Sequence, residues 1–125
     1  MDNGLVIDAI RELGYQCIVY ETINSEEDWN NNIKIISGED ENNVAIFYEN
    51  NPITFAQITE KYNEIENNKK WEVIREKRNQ LLAETDFYAL SDVTMTTEMS
   101  NYRQALRDLP SSTSNPDDVV FPTKP

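Results

Sequence analysis

Two arginines, Arg103 and Arg107, are the side chains best placed for binding chemistry. They lie in the stretch YRQALRDLP, residues 102–110, so a helix there puts both guanidinium groups on one side. A guanidinium binds a carboxylate or a phosphate through paired hydrogen bonds. The stretch is therefore either a ligand-binding or catalytic site, or a helix whose arginines hold a neighbouring loop through its acids, Asp86 or Asp92.

Catalytic chemistry has little support in the residue types. Asp86 and Asp92 are the pair of acids best suited to acid–base work, but loop acids are more often solvated or cap helices. The chain has no histidine and a single cysteine, Cys17, which lies in the apolar stretch YQCIVY and is expected in the core. The acidic loop GEDENN lacks the glycine and the glutamate of an EF-hand loop. We therefore expect no catalytic residues, no cofactor and no metal.

The negative charge is concentrated in the first half of the chain. Residues 1–68 carry 14 acidic and 3 basic side chains, a net charge of −11, whereas residues 69–125 carry 9 and 8, a net charge of −1. Phosphate binding needs clustered Lys and Arg, so we expect no nucleic-acid partner. The first half either steers a basic protein surface toward it or only keeps the chain soluble. No run approaches the roughly 20 apolar residues of a membrane helix, and the acidic start is unlike a signal peptide, so no membrane partner is expected.

Residue patterns in the first half predict one helix and three strands. Residues 3–14 have apolar positions at helical spacing, with Asp2 or Asn3 as cap and Gly14 at the end. NSEEDWNNN, residues 24–32, is typical of a polar turn, with Trp29 folding back onto the core. The strand candidates are YQCIVY (15–20), IKIIS (33–37) and VAIFY (44–48), with GEDENN as a longer hairpin loop.

Capping signals place a further helix after these strands. Thr54 and Gln57 have the spacing of a capping box, and Ile53 and Ile58 that of a hydrophobic staple. This helix breaks or continues at Asn67–Asn68, and residues 69–84 are strongly helical in composition. Their basic side chains alternate with Glu72 and Glu76, which favours a salt-bridged solvent face; these are Lys69, Lys70, Arg75, Lys77 and Arg78.

The remaining residues predict a loop, a last helix and a tail. TDFYALSDV is expected to be an ordered loop packed by Phe87, Tyr88 and Leu90. A helix follows over Glu98–Leu109, and Pro110 is expected to end it. The tail is expected to be extended, with Val119, Val120 and Phe121 able to dock on the helices.

These elements define the expected fold class and its parts. The fold class is α+β: an N-terminal helix with a small, mainly antiparallel three-stranded sheet, then a helical C-terminal module of long helix, ordered loop and short helix, and an extended Pro-rich tail. The expected division is an acidic α+β part at 1–68, a helical module at 69–110 and a tail at 111–125.

Four short blocks in the second half occur in an order and spacing typical of a known family. They are Arg75-x-x-Arg78-Asn79-x-Leu81-Leu82, Thr85-Asp86-Phe87, Tyr102-Arg103-Gln104-Ala105-Leu106-Arg107-Asp108-Leu109-Pro110 and Phe121-Pro122-x-x-Pro125. Residues 71–125 thereby resemble the phage tail assembly chaperone family, whose module also occurs in tail-fibre and other virion proteins. Phe87 and Phe121 stand where that family usually has tryptophan, so packing is retained but an indole N–H bond is lost.

The resemblance implies a non-enzymatic phage protein that acts in tail or tail-fibre assembly by protein contact. Its expected partner is a phage tail or tail-fibre protein, and its expected location is the cytoplasm of the infected bacterial host or the virion. Homo-oligomerisation is left open. The candidate structural or partner-contact residues are Trp71, Arg75, Arg78, Asp86, Phe87, Tyr102, Arg103, Leu106, Arg107, Asp108, Phe121 and Pro122.

Two other functions are compatible with the sequence. The protein is alternatively a permanent structural component of tail, fibre or baseplate, whose C-terminal tail docks on a neighbouring subunit. The charge of the first half also suits an acidic inhibitor of a host nucleic-acid-binding protein. For Tyr102 and Leu106 the simpler expectation is that they fill the core of this chain.

Overall fold

Four α-helices and one three-stranded antiparallel sheet make up the fold, which confirms the α+β expectation. The computed structural model describes residues 1–125. Its elements in chain order are α1 (Asn3–Glu12), β1 (Gln16–Val19), α2 (Glu26–Asn31), β2 (Ile33–Glu39), β3 (Ala45–Phe47), α3 (Phe55–Ala83) and α4 (Thr97–Ser112), with 3-10 turns at Asp86–Ala89 and Pro116–Asp118. The chain separates into two compact units, Met1–Glu66 and Asn67–Pro125, and α3 contributes residues to both.

The three predicted strands form one sheet in the order β1-β2-β3, with both pairs antiparallel. Cys17 pairs with Ile35, and Ile36 pairs with Phe47, before a bulge between Ile36 and Gly38. The predicted longer hairpin loop joins β2 to β3. There the Oδ1 of Asp40 accepts hydrogen bonds from the backbone N–H groups of Asn42 and Val44, which stabilises the turn.

Local signals set both ends of α1. Asp2 is the N-cap, and its carboxylate accepts from the backbone N–H of Leu5 at 3.0 Å. At the other end Gly14 has φ +90°, and it donates to the carbonyl of Arg11 while Tyr15 donates to that of Ile10. This is the glycine-dependent Schellman arrangement, because an L side chain is strained at that φ.

The polar turn predicted at residues 24–32 is wrong, because α2 lies there. Ser25 caps the helix and accepts from the backbone N–H of Asp28, an S-x-x-D cap that the composition obscured. The expected inward placement of Trp29 is confirmed. It is 1% exposed, and its indole N–H donates to the carbonyl of Ile53 at 2.9 Å.

The core of the first unit lies between the sheet and three helices. Its buried side chains come from α1, α2, β2 and the start of α3, and from residues next to them. They are Val6, Ala9, Ile10, Ile23, Trp29, Ile33, Ile35, Ile53, Ile58, Tyr62 and Ile65. Cys17 is partly buried against this cluster.

The predicted capping box begins α3. The backbone N–H of Thr54 donates to the Gln57 side chain at 2.9 Å, and the Gln57 N–H donates back to the Thr54 hydroxyl at 3.2 Å. Both staple residues, Ile53 and Ile58, are buried. The helix continues through Asn67–Asn68 and runs for 29 residues. None of the helices combines the length and the apolar character needed to cross a bilayer.

Two expectations for the second unit are wrong. Phe87 and Leu90 do not pack the loop, since they are 51% and 57% exposed, and Tyr88 alone of the three packs against the buried cluster. Pro110 does not end α4, which continues to Ser112. Proline removes one N–H donor there, and the hydroxyls of Ser111 and Ser112 donate to carbonyls of that last turn.

The C-terminal tail docks on its own unit, as the apolar pattern predicted for part of it. Val119 and Phe121 pack against the buried cluster of α4, whereas Val120 is 81% exposed. A short 3-10 turn at Pro116–Asp118 interrupts the extended conformation, and Pro116 is buried.

Candidate partner-contact site

Arg103 is a buried cation on an otherwise apolar helix face. Met99, Tyr102, Leu106 and Leu109 form the buried stripe of α4, and Arg103 lies beside it with 6% exposure. A buried guanidinium is tolerated only when its N–H donors find acceptors. The contacts of Arg103 therefore define what this part of the molecule can do.

Three acceptors, one in the last turn of α3 and two just after it, surround the guanidinium. The Nη1 of Arg103 donates to the carbonyl oxygen of Leu82 at 3.0 Å and to the Thr85 hydroxyl at 2.7 Å. The Nη2 donates to the Asp86 carboxylate at 2.9 Å. Of the two arginines and two loop acids that the sequence brought forward, Arg103 and Asp86 form the pair, and they form it within a larger network.

This network lies at the C-terminal end of α3. The Leu82 carbonyl also accepts from the backbone N–H and the hydroxyl of Thr85, both at 3.1 Å. A helix C-terminus carries partial negative charge on its last carbonyls, so a cation there is favourable. Arg103, which belongs to α4, thus caps the C-terminal end of α3. The fully buried Thr85 hydroxyl accepts from Arg103 and donates to the Leu82 carbonyl.

The network is joined to the turn that follows through Asp86. Asp86 begins the 3-10 turn Asp86–Ala89, and the next residue, Phe87, projects with half of its surface exposed. The Phe87 ring stacks on Tyr88 with centroids 4.1 Å apart. Leu90, one turn later, is also exposed. We name Phe87 and Leu90 the apolar tip; it is an exposed apolar pair next to a buried polar anchor.

The C-terminal tail contacts the basic face of α3. The Lys70 ammonium lies 3.0 and 3.2 Å from the two carboxylate oxygens of Asp117. Two helical turns later, the Lys77 ammonium lies 4.3 Å from the centroid of the Phe121 ring, a cation–π contact. These two lysines, which were expected on a salt-bridged solvent face, contact the tail.

The remaining candidate residues are not gathered into one site. Tyr102 and Leu106 are buried in the α4 cluster, as the simpler expectation had them. Trp71, Arg78 and Pro122 are half-buried, and Arg78 donates to the side chain of its neighbour Asn79. Arg75, Arg107 and Asp108 are exposed, and Asp108 accepts from Gln104 within α4.

Three contributing residues were missed as site candidates. Thr85 appeared only as part of a motif, although its buried hydroxyl is the closest partner of Arg103. Lys70 and Lys77 were assigned to solvent, although their seven-residue spacing places them on one face of α3. No local signal pairs them with Asp117 and Phe121, because those residues lie more than forty positions away in the sequence.

The arrangement suits recognition of a surface. Three of the five N–H donors of Arg103 bind protein acceptors, and the guanidinium is shielded from solvent. Arg103 therefore holds structural elements together and does not form an open anion-binding site. Besides Val73 on α3, the exposed apolar features of this unit are the apolar tip and the edge of the docked tail. Both offer apolar contact area to another polypeptide.

Comparisons with known proteins give a match, and it lies in this part of the chain. No curated protein and no solved structure matches this chain. A family model does match, over the unit whose Arg103 network and docked tail are described above. Residues 71–125 of this chain match the family described as phage tail assembly chaperone protein.

Proposed function

We propose that this protein is a chaperone of phage tail or tail-fibre assembly that acts by direct protein contact. The observation that carries the proposal is the family match over residues 71–125. In this function the protein covers apolar or edge-strand surface of an unassembled tail protein until assembly hides that surface.

The apolar tip is the contact that we assign to the tail protein. Phe87 and Leu90 are exposed, and the turn that carries them is held by a buried arginine. A rigid apolar anchor loses little conformational entropy on binding, so it contributes more affinity than a mobile one. The buried residues of α4 hold this tip in place and do not touch the partner themselves.

The acidic first unit has a separate role in this proposal. Its net charge of −11 speeds encounter with a basic surface on the tail protein, an effect that decreases as salt rises. The apolar tip then sets the lifetime of the complex. Raised salt should therefore lower the association rate more than it raises the dissociation rate.

Co-expression with the tail proteins of the same phage, followed by affinity capture, tests the proposal. We expect capture of one tail or tail-fibre protein by the wild-type chain and about a tenfold loss of affinity for Phe87→Ser, since a central anchor contributes more than 1 kcal/mol. Val73→Ser is the matched control, because Val73 is 65% exposed in the same unit but lies away from the turn. Equal capture by both variants contradicts the assignment of the tip.

Mass spectrometry of purified phage particles separates the chaperone from a structural component. A chaperone is absent from finished particles, whereas a component of tail, fibre or baseplate is present in fixed copy number. Recovery of a host polymerase or nuclease from lysate, with no tail protein captured, would instead favour the acidic inhibitor.

A further inference from the structure

The C-terminal tail shows what chemistry the surface beneath it accepts. We call this surface the tail seat and define it as Lys70 and Lys77 of α3 with the buried cluster of α4. Asp117 meets the first lysine, and Phe121 meets the second. Between them, Val119 packs against the cluster. The seat thus takes a carboxylate, an apolar side chain and an aromatic ring in that order.

The seat and its occupant match in spacing. Seven residues of α-helix separate Lys70 from Lys77, a rise of about 10.5 Å. Four residues separate Asp117 from Phe121, and a fully extended chain of that length spans at most about 14 Å, which the 3-10 turn shortens. The tail therefore runs along α3 in the same direction, with its two contacts in register with the two lysines.

Beyond Pro116 the tail is only partly buried, with Val119 and Phe121 packed against the cluster and its other contacts exposed. The side chains of Lys70 and Asp117 are 39% and 61% exposed, and exposed ion pairs contribute little stability. Val120 is 81% exposed, and residues 120–125 make no backbone–backbone hydrogen bond. Such a segment can leave its position without the opening of a hydrogen-bonded element.

We propose that the tail seat is a peptide-binding surface, occupied by the chain's own tail in the free protein and by an extended acidic–aromatic segment of the tail protein in the complex. The identity of that partner rests on the proposed function. The segment carries a carboxylate and, four residues later, an aromatic ring. The tail of a second copy would make the same contacts with the seat as the chain's own tail. The chain's own tail is tethered to the seat, so it is favoured over that of another copy.

The tether makes the resident tail a competitor. A segment joined to its site by a short connection acts at a local concentration in the millimolar range, so a foreign segment must bind the seat better to replace it. Release of the tail on partner binding also exposes Val119 and Phe121 for further contacts. The chain is thereby kept from binding weakly matching segments.

A labelled synthetic peptide of residues 111–125 tests the seat without any tail protein. We expect it to bind the full-length Asp117→Ser, Phe121→Ser variant, whose own tail lacks both contacts with the seat, at least tenfold more tightly than the wild-type chain. Adding Lys70→Glu and Lys77→Glu to that variant should abolish binding. A peptide that carries Asp117→Lys should recover part of the affinity for this charge-reversed seat.

Three results overturn the proposal. In the first, the tail variant binds the peptide no better than the wild type. In the second, it loses helical circular dichroism, which makes the tail a fixed part of the folded unit. In the third, the protein forms dimers only while Asp117 and Phe121 are intact. Such dimers would show that the tail of one copy occupies the seat of the other, and the proposal of a foreign segment would then be wrong. None of these results bears on capture of a tail protein through Phe87, so the two proposals fail independently.

Discussion

The Nη1 of Arg103 lies 2.7 Å from the hydroxyl oxygen of Thr85, and both side chains are buried. Eighteen residues separate them, and the contact joins the middle of α4 to the residues that end α3. The same guanidinium continues to Asp86, where the exposed turn begins. One buried hydrogen bond thus links helix packing in this unit to the position of the residues that we assign to partner contact.

Arg103→Ala should destabilise the protein by about 2–3 kcal/mol, because it leaves the Thr85 hydroxyl and the Leu82 carbonyl with fewer buried partners. Arg103→Lys should recover only part of this loss, since an ammonium cannot reach three acceptors in fork geometry. Urea unfolding followed by circular dichroism measures both. Arg107→Ala is the control, and at this exposed position we expect a change within about 0.5 kcal/mol. If the Arg103→Ala variant is as stable as the control, Arg103 does not have this structural role.

Thr85→Val and Asp86→Asn should show how much the buried and the exposed contacts of Arg103 each contribute to stability. Thr85→Val keeps the shape of the side chain but removes a fully buried hydroxyl, and we expect a loss of about 1–3 kcal/mol. Asp86→Asn should cost less than about 1 kcal/mol, because that carboxylate is 66% exposed and water screens its ion pair. The unfolding midpoints of the two variants give the order. A larger loss for Asp86→Asn means that charge outweighs the buried hydrogen bond.

Gly14→Ala should destabilise the first unit by about 1–2 kcal/mol, since Gly14 has a left-handed φ of +90° at the end of α1. Gly38→Ala is the matched control. Nothing lies within 4 Å of a Cβ placed at Gly38, and its backbone is not left-handed. We expect that control to be neutral or slightly stabilising. Thermal unfolding of the two variants tests the difference, and equal melting temperatures would refute it.

Asp28→Asn should weaken the loss of stability at acid pH. The pKa of Asp28 is lowered, chiefly by the hydrogen bond from the backbone N–H of Asn24 and next by the Ser25 side chain. A lowered pKa in the folded chain means that the carboxylate stabilises the fold above the ordinary aspartate pKa, and that this contribution disappears as the pH falls through the folded value. Urea unfolding between about pH 4 and pH 2 measures it. Asp92→Asn, in an exposed loop, removes one acid elsewhere, and an identical pH dependence in the two variants would contradict the role of Asp28.

Cys17 should react slowly with iodoacetamide at neutral pH. Burial raises the pKa of its thiol, and the nearby charge of Arg11 lowers it by a smaller amount. Only the thiolate reacts, so the rate should reach its midpoint at a higher pH than in the urea-unfolded chain. Arg11→Ala should move the midpoint further upward, because it removes the opposing charge. A midpoint at or below that of the unfolded chain would be incompatible with this account.

Short-range patterns were sufficient to predict most elements of the fold. Thr54 and Gln57 stand three residues apart, so the helix start that they define could be predicted without knowledge of the rest of the chain. The same holds for Gly14, because the left-handed end of a helix selects glycine locally. The strands followed from short runs of β-branched and aromatic residues. Their pairing as consecutive antiparallel neighbours is the simplest arrangement for short connections.

Local patterns failed where two signals competed. The stretch NSEEDWNNN is rich in turn-forming residues, yet Ser25 and Asp28 cap a helix there, and the buried indole of Trp29 holds it against the core. There a tertiary contact outweighed the local preference. At Pro110 the usual rule for helix ends failed for a local reason: α4 continues to Ser112, and the hydroxyls of Ser111 and Ser112 donate to carbonyls of the last turn.

The sequence alone determined the α+β class, the acidic first half, the helix caps and the family resemblance of residues 71–125, because each depends on composition or on residues a few positions apart. Tertiary structure decided which arginine is buried, which loop acid it binds, and that Phe87 is exposed while Phe121 lies under Lys77. The physical reason is distance along the chain. Lys70 and Asp117 are 47 residues apart, and only folding brings such groups together and decides which of them lose contact with water.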